Sequence, residues 1–166
     1  MHAAAYDAMD KMVERFLGEE RQRPLKVLEV GSHGSGYRPL VKPPWEFFGL
    51  DLKGGDDVHI VVQDPHRWAE VETSSFDLVV SGSCLEHTQF VWEVVREIAR
   101  VLRAAGTAIL IAPSIGGEHR YPTDCWRILP DGMLALCKWS GLEPIEIGCS
   151  QDPTWWDTVL VARKPS

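Results

Sequence analysis

The chain has no stretch approaching the ~20 consecutive apolar residues that a membrane-spanning helix needs. Its first ten residues, MHAAAYDAMD, lack the basic start and the long apolar centre of a secretory signal. Positive charge is also in short supply. The formal net charge is -7, so there is no general attraction to nucleic-acid backbones or anionic membrane surfaces. The four cysteines, at 84, 125, 137 and 149, make no C-x-x-C pair and no zinc-type spacing. We read them as reduced thiols of a cytoplasmic protein. Internal repeats, low-complexity tracts and linkers are missing as well. With 166 residues, 45% of them hydrophobic, the expectation is one compact domain over 1–166 with a real core.

What is present is an alternation of short apolar runs and amphipathic segments. Apolar positions from Ala5 to Leu17 recur every three or four residues and predict a helix ending at Gly18. Further helices are expected over 92–102 and 130–139. Strands are expected over 25–30, 47–52, 58–62, 76–81, 107–112, 142–147 and 158–162. Strands alternating with helices imply a parallel sheet wrapped by helices. The last two strands have no helix between them, which makes them an antiparallel hairpin at one edge.

The most informative stretch is KVLEVGSHGSG, residues 26–36. An apolar run with an acidic residue, Glu29, enters a loop with glycines at 31, 34 and 36, and Asp51 ends the next apolar run about twenty residues on. Strand, glycine turn and a distal carboxylate form a ribose-gripping arrangement. The spacing is G-x-x-G-x-G, however, and Pro39, Pro43 and Pro44 leave room for at most a short, irregular helix behind the loop. A pyrophosphate bound at a helix N-terminus is poorly served by this. S-adenosylmethionine (SAM) carries a sulfonium, an ammonium, a ribose diol and an adenine but no phosphate, and carboxylates suit those groups.

The strings VLEVGSHGSG, FFGLDL, VVQDPHRW, FDLVVSGSCLEHT and VREIARVLRAAGTAILIAP follow one another over most of the chain. In this order they resemble the class I SAM-dependent methyltransferases, most closely the small bacterial methyltransferase type 11 kind. The resemblance implies a Rossmann-like α/β fold, a seven-stranded, mostly parallel sheet in order 3-2-1-4-5-7-6 with one antiparallel strand. It also implies roles residue by residue. Glu29 would sit near the methionine ammonium, with Gly31, Ser32, Gly34 and Gly36 as the loop beneath the methionine. Asp51, followed by Leu52, would take the ribose hydroxyls. Asp64 would take the adenine amino group with Pro65 beside the ring, and Ser81 to Ser83 would flank the sulfonium. The family pattern is (D/E)-x-G-x-G-x-G, so the extra residue around Ser32 and His33 is a departure. Each position also has a plainer reading: an ion pair for Glu29, turn residues for the glycines, a turn former for Asp64.

On the acceptor side, His87 in the L-E-H string and His119 in EHRYPTDCWR (118–127) are the candidate catalytic histidines, with His119 as general base. His33, Tyr121, Asp124, Trp126 and Arg127 are candidate substrate residues, although an Asp124–Arg127 pair could simply brace its loop. No motif supports a metal; His119, Asp124 and Asp152 are the weak combination considered. The adjacent Trp155 and Trp156 cannot both face inward. Only residues 3–17 and 113–130 are available as a lid, so the site should be open or completed by a second subunit of a homodimer. That favours transfer to oxygen on a glycoside, a saccharide or a natural product. The competing readings are a non-catalytic SAM-binding or assembly module, a nicotinamide-dependent oxidoreductase, and a protein or RNA methyltransferase. An N-P-P-Y motif and a basic tail, which would support the last, are not found.

Overall fold

The computed structural model describes residues 2–34, 36–150 and 154–166. Among the described residues three α-helices and seven strands follow one another along the chain: α1 (Ala3–Leu17), β1 (Lys26–Val30), β2 (Glu46–Asp51), β3 (Ile60–Val61), β4 (Phe76–Gly82), α2 (Val91–Val101), β5 (Leu102–Pro113), α3 (Pro130–Trp139), β6 (Glu143–Cys149) and β7 (Asp157–Arg163). The strands form one sheet in the order β3-β2-β1-β4-β5-β7-β6. β1, β2, β3, β4 and β5 run parallel, and β7 lies antiparallel between β5 and β6. This is the order expected from the resemblance.

Alternation along the strands sorts the side chains into two cores, because successive residues of a strand face opposite sides. Leu28, Val79, Ala108, Leu110, Leu160 and Ala162 join α2 and α3 on one face. Val27, Leu78, Val80, Ile109, Ile111 and Val161 meet α1 on the other. α1 contributes Ala5, Met9, Val13 and Leu17, one stripe at four-residue spacing. Burying each of its larger side chains stabilises the fold by about 1.5–3 kcal/mol.

Two boundaries differ from the sequence expectation. The third strand pairs only over Ile60–Val61, flanked by single bonds from the His59 and Val62 amides to Gly49 and Asp51. The fifth begins at Leu102, directly after α2, instead of at Thr107. Here Lys164, just beyond β7, donates its Nζ to the carbonyls of Leu102 (2.6 Å) and Arg100 (3.3 Å). It thereby satisfies carbonyls at the end of α2 and pulls the chain into extended conformation. Between β1 and β2 the chain makes only a single 3-10 turn, Arg38–Leu40, as the prolines require.

One half-buried ion pair, Glu97 with Arg100, positions the loop that follows β3. Burial pushes the Glu97 carboxyl up, but Arg100 and the Trp68 amide (2.8 Å) outweigh it and hold the group below its ordinary value. Arg100 in turn donates to the carbonyls of Val71 and Trp68. The segment carrying Asp64 and Pro65 is thus fastened to α2.

Candidate active site

The carboxyl ends of β1, β2 and β4 bring the glycine loop, Asp51 and residues 81–88 together. Gly31 turns the chain at φ +82°, and a Cβ there would lie 2.6 Å from Cys84 Sγ. Only glycine meets both demands. The Gly31 and Ser32 amides donate to Leu50 O (2.9 and 3.1 Å), tying the loop to β2. Gly34 and Gly36 also have positive φ, and Gly34 has open space around it. Ser32 is buried, and its hydroxyl has no hydrogen-bond partner among the described residues.

Glu29 is buried at the end of β1 and accepts from the Tyr37 amide (3.4 Å). Asp51 accepts the amides of His33 (3.0 Å), Leu52 (2.7 Å) and Lys53 (3.3 Å). It therefore organises both the glycine loop and its own turn, while Leu52 lies exposed beside it. Asp64 has a largely exposed side chain and accepts from the His66 amide (2.8 Å). This is the turn-forming geometry, and it leaves Asp64 open to solvent. Pro65 O accepts from Trp68 Nε1 (3.2 Å).

Two sequence assignments are qualified here. The Ser81 hydroxyl is buried and donates to Val30 O (3.1 Å), so it is spent holding β4 to β1; Ser83, at φ 52°, makes the turn beyond. His33 contacts Asp51 through its amide and lies near Gly55. That places it on the Asp51 side of the loop, whereas the sequence reading put it with the substrate residues.

The opposite side of the site is assembled by loop 118–127. The Cys125 amide donates to Glu86 O (2.7 Å), Thr123 Oγ1 to His87 O (2.6 Å) and Trp126 Nε1 to Thr88 O (2.7 Å). The Asp124–Arg127 pair is bidentate at 2.7 and 2.8 Å. Arg127 also donates to Gly116 O, Gly117 O and Trp126 O. The hydrogen bond from Arg127 holds the Asp124 carboxyl far below the usual carboxylate range. These two residues brace the loop. Tyr121 is exposed, and Trp126 half-exposed with its ring edge toward Trp92.

The loop carries His119 to His87, with ring centroids 4.9 Å apart. His87 Nδ1 lies 2.7 Å from Thr123 O. A carbonyl accepts only, so Nδ1 carries the proton and the lone pair is on Nε2. Burial lowers the His87 pKa and keeps the ring neutral. His119 Nδ1 is 3.2 Å from Arg127 Nη2 and 3.6 Å from Asp124 Oδ2. Between the two histidines lies Glu86, fully buried, its Oε1 3.7 Å from His87 Nε2 and 3.8 Å from His119 Nε2. Neither carboxylate oxygen has a hydrogen-bond partner among the described residues. Burial, reinforced by Asp157 and Asp124, pushes this carboxyl up to about 7.

Sequence reasoning did not single out Glu86, Tyr37, Cys84 or Asp157 for the site. Glu86 was visible only as the middle residue of L-E-H. Tyr37 and Asp157 carried no signal. The Tyr37 phenol is raised by burial and by Glu29, Asp157 and Glu86, so three buried carboxylates surround one region. Burial and the charges of Glu86, Asp51 and Glu29 push the Cys84 thiol up to about 12. Of the tryptophan pair, Trp155 packs on His119 (4.7 Å) and Trp156 is exposed. Asp124 is taken by Arg127, and Asp152 lies outside the described residues. No described helix is long and apolar enough to cross a membrane.

Known proteins share this fold. The fold matches the Burkholderia thailandensis 1,6-didemethyltoxoflavin-N1-methyltransferase bound to 1,6-didemethyltoxoflavin and S-adenosylhomocysteine. The identity is 20%, the TM-score 0.74, and 99% of this chain and 79% of that one are covered. It also matches a SAM-dependent methyltransferase of Archaeoglobus fulgidus at 12% identity, TM-score 0.72, with 96% and 94% covered. No curated protein matches the sequence. The sequence model of the methyltransferase domain family matches residues 28–110, half of the chain. That span contains Glu29, the glycine loop, Asp51, Asp64 and the L-E-H turn, and the chain belongs to this family, the class I methyltransferases, with SAM as its cofactor.

Proposed function

We propose that the protein transfers the methyl group of SAM to a hydroxyl oxygen of a small or medium-sized acceptor, a glycoside, saccharide or natural product. The observation that supports oxygen is the histidine pair at the end of β4, with His87 neutral and its Nε2 lone pair unprotonated. A hydroxyl must lose its proton as it attacks, and such a nitrogen can take it. The acceptor oxygen bonds to the methyl carbon as the carbon–sulfur bond breaks, and the electron pair stays on sulfur as S-adenosylhomocysteine forms. His119, the more exposed ring, orients the hydroxyl or relays the proton. Tyr121, Trp126 and Trp155 offer aromatic faces to a sugar or ring.

In this reading Glu29, Gly31, Ser32, Gly34 and Gly36 hold the methionine end. Asp51 and Leu52 hold the ribose, Asp64 and Pro65 lie toward the adenine, and Ser83 with the backbone of Ser81 passes the sulfonium. The buried carboxylate at Glu29 favours a cofactor bearing a positive ammonium group.

The test is methyl transfer from labelled SAM to a panel of phenols and saccharides, with the methylated atom located by mass spectrometry and NMR. An O-methyl product is expected. His87→Ala and His119→Ala should lower turnover while S-adenosylhomocysteine affinity stays within about twofold. A methyl group found on nitrogen or carbon, or turnover unchanged in both variants, would refute the assignment.

A further inference from the structure

Glu86, His87 and His119 place one ligand atom each within 4.8 Å of one another. We propose that these three side chains bind a divalent first-row transition-metal ion. The binding itself is independent of the acceptor assigned above; only the cation's role in transfer rests on that reading.

The chemistry of the donor set is specific. Glu86 is fully buried, and neither of its carboxylate oxygens has a hydrogen-bond partner among the described residues. A buried carboxylate in that state is costly unless a cation meets it. The two nearest groups are imidazole nitrogens at 3.7 and 3.8 Å. Ligands about 2.0–2.2 Å from a tetrahedral ion stand roughly 3.4 Å apart, so the two carboxylate–imidazole distances close by a few tenths of an ångström, and the rings, whose ligand atoms lie within 4.8 Å, draw together by rotation of the more exposed His119.

The partners of the rings fit as well. His87 donates Nδ1–H to Thr123 O at 2.7 Å, which fixes the ring and points the Nε2 lone pair at Glu86. That backbone partner is typical of a metal-bound histidine. For His119 to bind through Nε2, its proton must sit on Nδ1, where Asp124 Oδ2 lies 3.6 Å away. This completes a carboxylate–histidine–metal line, with Arg127 released from Nδ1. Tyr121 and Trp155 flank the rings.

Two imidazoles and one carboxylate suit zinc, manganese or cobalt better than magnesium or calcium. Three protein ligands leave positions for water or an acceptor oxygen. A hydroxyl bound there becomes more acidic, its proton leaves to bulk water, and the oxygen lone pair forms the bond to the methyl carbon as the carbon–sulfur pair returns to sulfur. His87 and His119 then act as ligands in place of proton acceptors.

The experiment uses the tag-free full chain stripped with chelator. Zinc is titrated by calorimetry and cobalt by visible absorption, both without SAM. One equivalent should bind at micromolar affinity or tighter, with magnesium at least a hundredfold weaker. Glu86→Gln, His87→Ala and His119→Ala should each weaken zinc at least tenfold while S-adenosylhomocysteine affinity is kept, which also shows that the variants are folded. If Glu86→Gln fails to fold, His119→Ala decides, since that side chain is 36% exposed. No uptake, uptake untouched by these variants, or a cobalt–thiolate charge-transfer band from cysteine ligation would each overturn the site. Loss of S-adenosylhomocysteine binding in the wild type would count against the cofactor half instead.

Discussion

Replacing Glu86 by glutamine should make the stability difference between variant and wild type depend on pH. The carboxyl is fully buried without a hydrogen-bond partner among the described residues, and its pKa is pushed from the ordinary 4.5 to about 7, with burial as the leading cause. Between those values the native state holds a proton that the unfolded state has lost. The wild type is therefore most stable below pH 4.5 with respect to this group, and loses that stability as pH rises through 7. A rise from 4.5 to about 7 is worth roughly 3 kcal/mol. Glutamine does not titrate, so the variant escapes the loss. Urea unfolding of both proteins at intervals from pH 5 to pH 9, with chelator present so that no cation meets the carboxylate, should show the variant gaining up to about 3 kcal/mol on the wild type. For a domain of this size that is on the order of 6–12 °C in Tm. The constant offset at pH 5 reports amide packing and does not matter. A difference that stays flat across this range would mean that the carboxylate is solvated or paired, and the reasoning would fail.

Asp51→Ala should weaken S-adenosylhomocysteine binding at least tenfold by calorimetry, about 1.4 kcal/mol, the size of a charge-assisted hydrogen bond. Unchanged affinity would mean that the ribose is held elsewhere. Gly31→Ala forces a Cβ against Cys84 at positive φ, and should cost about 1–3 kcal/mol in urea unfolding together with cofactor affinity. Adding Cys84→Gly, which removes both the Sγ and the Cβ that the new methyl meets, should recover part of that loss, and no recovery would rule out the steric contribution. Arg127→Ala leaves the nearly buried Asp124 carboxylate without its bidentate partner; a loss of about 3 kcal/mol is expected, along with faster proteolysis between 116 and 127.

The cofactor half of the site was legible in the sequence because its determinants are local. A glycine loop, an acidic residue ending one strand and another ending the next are fixed by strand geometry and short spacing. Gly31 accordingly turns the chain just after β1 and Asp51 ends β2, and the sheet order follows the resemblance. The register of β3 and the early start of β5 were less legible. The latter depends on Lys164, more than sixty residues away, whose reach no local pattern announces.

By itself, then, the sequence determined the alternating α/β architecture, the family and the cofactor, since periodicity and motif order carry them. Only the tertiary structure decided what the acceptor side is made of. Loop 118–127 folds back on the turn after β4, held by Thr123, Cys125 and Trp126, and this sets His119 beside His87 with Glu86 between them. The physical reason is that a buried carboxylate has no signature in a linear string. Its chemistry comes from desolvation and from neighbours contributed by a segment thirty residues on, and both exist only once the chain is packed.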